Sequence, residues 1–347
     1  MADKQLTVAV AGATGAVGIE MIKVLERRNF PVGTLKPLAS ERSLGKSVSF
    51  RGAQVPVSVL NDKSFEGVDL ALFSAGGDIS RQFIPVAVRS GCTVVDNSSA
   101  FRMDPNVPLV VPQVNEADAL AHNGVVSNPN CTTAITLMAL FPLHQAFNCR
   151  RIFASSYQAV SGTGAMAIEE LRNQVDQVVH GQPVLKKVYP HQIAFNVLPH
   201  VDAFLPSGYT KEEMKMENEG RKMMHNPAFR ASVTCVRVPV YRAHSIAVSA
   251  EFEKPVTVES ARAVLAKAPG LELVDDPANK SYPMPLFTSG KDNCEVGRLR
   301  MDCALDNGLC FWVSGDQLLR GAALNAVEIA EVLVKNGAIK PRKPLFS

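Results

Sequence analysis

Leu6-Thr7-Val8-Ala9-Val10-Ala11-Gly12-Ala13-Thr14-Gly15-Ala16-Val17-Gly18 opens on six residues that read as a short buried strand and closes on three glycines spaced three apart. A helical stretch follows, Ile19 to Arg28, with apolar Ile19, Ile22 and Leu25 on one side. Strand, glycine-rich turn and helix together form the context of a dinucleotide fingerprint. The glycines permit a tight turn, a close approach to pyrophosphate and phosphate contact at a helix N-terminus. The spacing is G-x-x-G-x-x-G rather than the commoner G-x-G-x-x-G, so the order of elements carries more weight than the pattern. Gly12, Thr14, Gly15, Ala16 and Val17 are the candidate phosphate-loop residues.

The next strand is expected at Leu35 to Ala39, ending in Ser40-Glu41-Arg42-Ser43. An acid at that point suits the ribose 2′-hydroxyl of NAD, whereas a nearby Arg accommodates a 2′-phosphate. Ser40, Arg42 and Ser43 therefore favour NADP. Glu41 remains open between ribose binding and a solvent-facing loop position. Further buried strands are expected at Val68 to Phe73, Thr93 to Asp96 and Gly124 to Ser127, alternating with helical or turn segments, as in a parallel sheet covered by helices. Ser74-Ala75-Gly76-Gly77 and Asn97-Ser98-Ser99-Ala100-Phe101-Arg102 then follow strand ends and face the ligand crevice.

Ser127-Asn128-Pro129-Asn130-Cys131-Thr132-Thr133 places a cysteine at the start of a helix that runs from Thr132 to Phe147, with Asn130 or Cys131 at the N-cap. Unpaired amides and the positive end of the helix dipole favour thiolate over thiol there, which suits a nucleophile. The competing reading is a small buried residue without chemistry. Beyond it, Arg151 to Ser156, Ser232 to Val240, Ile246 to Phe252, Glu295 to Leu305 and Gly308 to Ser314 read as longer strands of a mostly antiparallel sheet. Helices are expected at Ala165 to Val179, Thr210 to Met224 and Val258 to Lys267. Asp316 to Val334 reads as one continuous helix, with Gly321-Ala322-Ala323 allowing close backbone approach. The fold class is thus α/β, a Rossmann-type doubly wound parallel sheet with a second α+β domain for catalysis and dimerisation. The expected boundaries are 1–131 plus 316–347 for the nucleotide domain and 132–315 for the second. Loops are expected near Pro283 and Pro341.

A chain of 347 residues, 46% hydrophobic, suits two such domains. A net charge of +3 without a Lys/Arg run gives no support for nucleic acid binding. Seven scattered cysteines without C-x-x-C or a Cys/His cluster suit a reducing compartment and no metal site. No stretch reaches the roughly 18 apolar residues of a membrane span and no signal peptide is visible, so a soluble cytoplasmic protein is expected.

The chain resembles the aspartate-semialdehyde dehydrogenase family over nearly its whole length. The resemblance rests on the glycine loop, Ser98-Ser99-Ala100-Phe101-Arg102, Ser127 to Cys131, Tyr157-Gln158-Ala159-Val160-Ser161-Gly162, Ile193-Ala194-Phe195-Asn196-Val197-Leu198-Pro199, Glu212-Glu213-Met214-Lys215, Arg237-Val238-Pro239-Val240, His244-Ser245 and Gly315-Asp316-Gln317-Leu318. It implies NADPH-dependent reductive dephosphorylation of L-aspartyl-4-phosphate to L-aspartate-4-semialdehyde, a step toward lysine, threonine, methionine and isoleucine. By resemblance, Cys131 is the nucleophile, Gln158 orients the acyl intermediate and His244 is the acid/base. Arg237 and Glu212 hold the substrate carboxylate and ammonium, and Arg102, Asn130 and Lys215 bind phosphate. Thr14 to Val17, Arg42, Ser43, Ser161, Gly162 and Gln317 contact NADP. Family members are dimers or tetramers, so a homodimer or homotetramer is expected.

The residue types suit this chemistry, because a thioester divides one displacement into two easier steps and guanidinium forks read carboxylate and phosphate. Two alternatives stand beside it: another phosphorylating aldehyde dehydrogenase or acyl-phosphate reductase, and a nucleotide-binding redox regulator without turnover. From spacing alone, Glu212 and Lys215 read as an exposed ion pair of small effect, and Arg237 as half of a buried ion pair. Seven extended residues would put Arg237 and His244 roughly 23 Å apart, so a shared site requires a turn between them.

Overall fold

The computed structural model describes residues 5–340 and 344–346; Pro341 lies outside them. The chain divides into two compact units, one of Met1–Asn130 and Ala322–Ser347, the other of Cys131–Gly321.

The first unit holds a six-stranded, all-parallel sheet in the order Ser58–Val59, Val32–Ala39, Leu6–Ala11, Leu70–Phe73, Thr93–Asp96, Val125–Ser127. Winding reverses between Leu6–Ala11 and Leu70–Phe73, so the crevice at their C-terminal ends is the switch point where such sheets bind ligands. The Val32–Ala39 strand starts earlier than its apolar run because Val32 and Thr34 already pair with Leu6 and Thr7. From the other end of the chain, Leu324–Lys335 packs on the helix Ala16–Arg27. Arg28 grips Glu331 with two hydrogen bonds of 2.8 and 2.7 Å.

The second unit is a mixed six-stranded sheet in the order Arg230–Arg237, Cys149–Gln158, His244–Phe252, Gly308–Gly315, Cys294–Met301, Leu271–Leu273. Its two outermost pairings are parallel and the three between them antiparallel. The helix Cys131–Phe147 packs on four of these strands and is buried continuously from Thr132 to Leu140, which explains its nearly unbroken run of small and apolar residues. Lys211–Met223 begins with a capping box, in which Thr210 Oγ1 accepts from Glu213 N at 3.3 Å and Glu213 Oε2 accepts from Thr210 N at 2.7 Å. The opposite face of the sheet leaves Phe153 48% and Tyr157 37% exposed.

Three expected elements end elsewhere. The strand expected at Ser232 to Val240 stops at Arg237, since Pro239 has no N–H to continue a ladder. That expected at Glu295 to Leu305 stops at Met301, where Asp302 Oδ1 accepts from Ala304 N at 2.8 Å and turns the chain. Asp316 to Val334 is not one helix. Asp316 Oδ1 accepts from Leu318 N at 2.9 Å, a π-helical turn occupies Leu319–Ala323, and the α-helix starts at Leu324.

Candidate active site

In the first unit the strand Leu6–Ala11 delivers Gly12 into a left-handed turn, φ +86°, where a Cβ would stand 2.4 Å from the Ser74 carbonyl oxygen. A Cβ on Gly18 would lie 2.1 Å from the Gly12 oxygen, so the helix Ala16–Arg27 can press against the turn only without side chains there. Gly15 is the N-cap, and the first-turn amides of Ala16, Val17 and Gly18 have no intrahelical acceptor. Thr14 Oγ1 lies 3.0 Å from Ser43 Oγ, joining the loop to the end of the second strand. Beside them Ser40, Glu41 and Arg42 are exposed, and Arg42 makes no ion pair among the described residues. This cradle of bare backbone and small hydroxyls fits the pyrophosphate and ribose of a dinucleotide. Arg102, 8% exposed, donates from Nε to the Asn128 carbonyl at 2.9 Å and from Nη2 to the Asn97 carbonyl at 2.8 Å. Asn130 is buried and ends this unit.

In the second unit three strand ends meet at one edge of the sheet. Gln158 and Arg237 end parallel neighbours and stand opposite each other. His244 begins the antiparallel neighbour, with Ser245 opposite Tyr157. The required turn is Val238 to Ala243, closed by a left-handed Ala243 at φ +70°. The cysteine helix starts near the same edge. Gly315 pairs with His244, and a Cβ on it would lie 2.9 Å from Ile135, one turn beyond Cys131. A Cβ on Gly321 would lie 2.6 Å from Cys131 Cβ, so the close approach allowed by that glycine is made to the cysteine itself.

Cys131 is half-buried. Burial pushes the thiols of Cys149, Cys235 and Cys294 up to about 12 and that of Cys92 higher still, which leaves them protonated and inert. His244 is fully buried; its Nδ1 accepts the Ala159 N–H at 3.0 Å, and its Nε2 has no partner. Burial, and then the Arg237 charge, hold its pKa well below the ordinary histidine value. Arg237, 5% exposed, makes one side-chain hydrogen bond, from Nη1 to the Ala159 carbonyl at 2.7 Å, and no ion pair among the described residues. The reading of Arg237 as half of a buried ion pair is therefore set aside. Gly162 separates the two groups: a Cβ there would lie 3.0 Å from Arg237 Nη1 and 3.1 Å from His244 Nε2.

Gln158 donates from Nε2 to Ser156 Oγ at 3.1 Å and to Glu212 Oε1 at 3.2 Å. Lys215 Nζ donates to Glu212 Oε2 at 2.9 Å and to Asp202 Oδ2 at 3.0 Å. The Glu212–Lys215 pair is thus not the solvent-exposed pair that spacing suggests. Glu212 is 7% exposed and tied to Gln158. Gln317, also buried, donates to Ser161 Oγ and accepts the Ala243 N–H at 2.8 Å, which fixes the backbone just before His244.

Similarity to known proteins agrees with this geometry. Residues 7–122 match the semialdehyde dehydrogenase NAD binding domain, and residues 140–320 the semialdehyde dehydrogenase dimerisation domain. The aspartate-semialdehyde dehydrogenase of Aquifex aeolicus is 50% identical over 336 residues, 96% of this chain and 99% of the relative. That of Bacillus subtilis is 48% identical over 338 residues, 95% of this chain and 98% of the relative. The chain belongs to the aspartate-semialdehyde dehydrogenase family. A crystal structure of aspartate semialdehyde dehydrogenase II from Vibrio cholerae complexed with ASA superposes with a TM-score of 0.94 at 42% identity, covering 96% of this chain and 99% of that one.

Two residues of this family member carry structure that the sequence left unassigned. Asp316, fully buried, accepts from Arg242 Nε and Gly290 N, both at 2.6 Å, and so braces the turn before His244. An Asp at a strand end before a helical run was the available signal. Tyr189 donates to Thr163 Oγ1 at 3.0 Å and feels the Arg237 charge. It sits in a strap whose backbone is tied to Glu170, and no periodicity marks that segment. Among the described residues no cluster could hold a metal ion, and no helix is long and apolar enough to cross a membrane.

Proposed function

We propose that this protein catalyses the reversible NADPH-dependent reductive dephosphorylation of L-aspartyl-4-phosphate to L-aspartate-4-semialdehyde and phosphate, in the biosynthesis of lysine, threonine, methionine and isoleucine. The observation that carries the reading is the buried Arg237 guanidinium, without a carboxylate of its own and set across one glycine from His244. A buried unpaired cation costs several kcal/mol, which an anionic substrate group offsets. Arg237 reads the substrate carboxylate in this scheme. Glu212, buried beside Gln158, serves the ammonium, and Gln158 orients the acyl group with its amide held by Ser156 and Glu212. Cys131 attacks the acyl phosphate to give a thioester and release phosphate. The phosphate-binding role given to Arg102, Asn130 and Lys215 by resemblance is retained. NADPH supplies a hydride when bound, and in this reading Gly12, Thr14 to Val17, Ser40, Arg42 and Ser43 of the first unit would hold it. Appearance of NADPH from NADP, aspartate semialdehyde and phosphate, dependent on all three, tests the assignment.

Arg42→Ala is expected to weaken NADP binding by about 1.5–3 kcal/mol through loss of a charge-assisted contact to the 2′-phosphate. NAD binding should stay as it was. Titration with both cofactors checks this, and equal losses would remove Arg42 from the 2′-phosphate site. Gly162→Ala is expected to lower kcat/KM for the aldehyde at least about tenfold, because its methyl displaces Arg237 or His244. A full-rate variant would show that their spacing is unimportant.

The exposed sheet face with Phe153 and Tyr157, in the region matched by the dimerisation domain, supports a homodimer or a homotetramer built from it. Free cysteines throughout support a cytoplasmic setting.

A further inference from the structure

We propose that Glu170 and Gln174 are positioning residues of the substrate site: from one helix they latch residues 185–194 of the strap, and the strap in turn holds Arg237 and the turn that carries Gly162. This deepens the dehydrogenase reading above and rests on Arg237 as the reader of the substrate carboxylate. Residues 180–210 contain no helix or strand, and ordered connections longer than about 15 residues in a compact unit are commonly functional. Without a ladder, their backbone groups need partners from elsewhere. Two side chains supply many of them. Glu170 and Gln174 stand one helical turn apart on Ala165–Val179, share a face and are both buried. Glu170 accepts from Lys187 N at 2.7 Å, from Val188 N, from Tyr189 N at 3.3 Å and from Gln174 Nε2 at 3.1 Å. Gln174 Oε1 accepts from Ile193 N at 2.8 Å and Ala194 N at 3.2 Å, and its Nε2 also donates to the Leu185 carbonyl at 3.1 Å. These roles set the residue types. Every partner of Glu170 is a donor, which suits a carboxylate, whereas Gln174 must both donate and accept, which suits an amide.

What the latch fixes lies at the strand ends of the site. Tyr189, whose N–H Glu170 holds, donates through its hydroxyl to Thr163 Oγ1 at 3.0 Å, in the turn Val160–Thr163 that contains Ser161 and Gly162. Ile193 and Ala194, whose N–H groups Gln174 holds, pack with Val160, Leu171 and Leu198 in one buried cluster. Leu198 then exchanges two backbone hydrogen bonds with Arg237, Leu198 N to the Arg237 carbonyl at 2.9 Å and Arg237 N to the Leu198 carbonyl at 2.8 Å. Arg237 ends an outer strand of the sheet, so Leu198 is its neighbour on the side that no strand covers. The run Ile193 to Pro199, singled out by resemblance, thus has a part in the site. Its Phe195 and Val197 side chains are exposed, and its hold on Arg237 is made by backbone. Arg237 is therefore fixed twice: at its backbone by Leu198, and at its guanidinium by the turn whose Gly162 separates it from His244.

Two variants of the full chain test the assignment. Glu170→Gln is nearly isosteric but turns an NH₂ group toward N–H donors of the strap. Its kcat/KM for aspartate semialdehyde should fall at least about fivefold, carried by KM, with kcat and the phosphate KM within about twofold of wild type. Added to Arg237→Leu it should cause no further loss, since it acts through Arg237, whereas a merely structural defect would add in full. Backbone amides of residues 187–194 should exchange hydrogen faster in Glu170→Gln than in wild type. Tyr189→Phe removes one hydroxyl from a half-buried ring, keeps the fold and should raise the same KM about threefold; it alone decides the kinetics if circular dichroism shows Glu170→Gln unfolded. An unchanged aldehyde KM in either variant that folds, an equal rise in the phosphate KM, or full additivity with Arg237→Leu would overturn the proposal. Full aldehyde use by Arg237→Leu itself would overturn the carboxylate reading instead, and hydrogen exchange then judges the latch on its own.

Discussion

Replacing Cys131 by serine is expected to abolish turnover, lowering kcat by more than about 10⁴-fold, while the fold and cofactor binding persist. A serine hydroxyl at the same helix start is not ionised near neutral pH, and the helix N-terminus cannot lower its pKa far enough to make it so. The side chain is half-buried and close to isosteric with serine, so the melting temperature should stay within about 3 °C of wild type. The remaining cysteines cannot substitute. Cys149, Cys235 and Cys294 are buried with thiols raised to about 12, and Cys303 is exposed on the turn that follows the strand Cys294–Met301. Mass spectrometry of wild-type protein mixed with aspartyl phosphate should therefore place the acyl group on Cys131 alone. An adduct on any other cysteine, or residual turnover in Cys131→Ser, would move the nucleophile elsewhere.

Elements specified by local chemistry were legible from sequence. The glycine loop and the helix after it depend on residues a few positions apart, whose conformational preferences act without the rest of the chain. The cysteine's place at a helix start was legible for the same reason. Partnerships were not. Arg237 stands in a valine-rich strand, and whether such an arginine has a carboxylate beside it depends on strands that pair only in the folded sheet. Gln158 and Glu212 are 54 residues apart in sequence and meet because a helix start is carried to a strand end. His244 Nδ1 meets a backbone N–H 85 residues away. The break in the expected helix after Asp316 arises because that carboxylate is shared by Arg242, Gly290 and the amides of the next turn, a competition invisible to helical periodicity.

Arg237→Leu is expected to lower kcat/KM for aspartate semialdehyde by more than about 10²-fold, since truncating a buried charge that reads a substrate anion costs 2–5 kcal/mol or more. The loss should be asymmetric. The phosphate KM should change little, because the phosphate role is assigned to Arg102, Asn130 and Lys215, whereas Arg102→Leu should chiefly raise that constant. Stability should move the other way from what removal of a paired arginine would give. No carboxylate is left behind among the described residues, the Ala159 carbonyl loses one hydrogen bond, and an apolar side chain takes the buried space. Burial first and the Arg237 charge second hold the His244 pKa down, so loss of Arg237 raises that pKa only in part. A depressed histidine makes the native state lose stability as pH falls below the unfolded value of about 6.5, because only the unfolded chain then takes up the proton. Arg237→Leu should therefore flatten the acid side of the stability curve relative to wild type. Denaturant titrations on either side of that pH, together with steady-state kinetics in both substrates, measure the two effects. A variant that loses phosphate affinity alone would remove Arg237 from the carboxylate site.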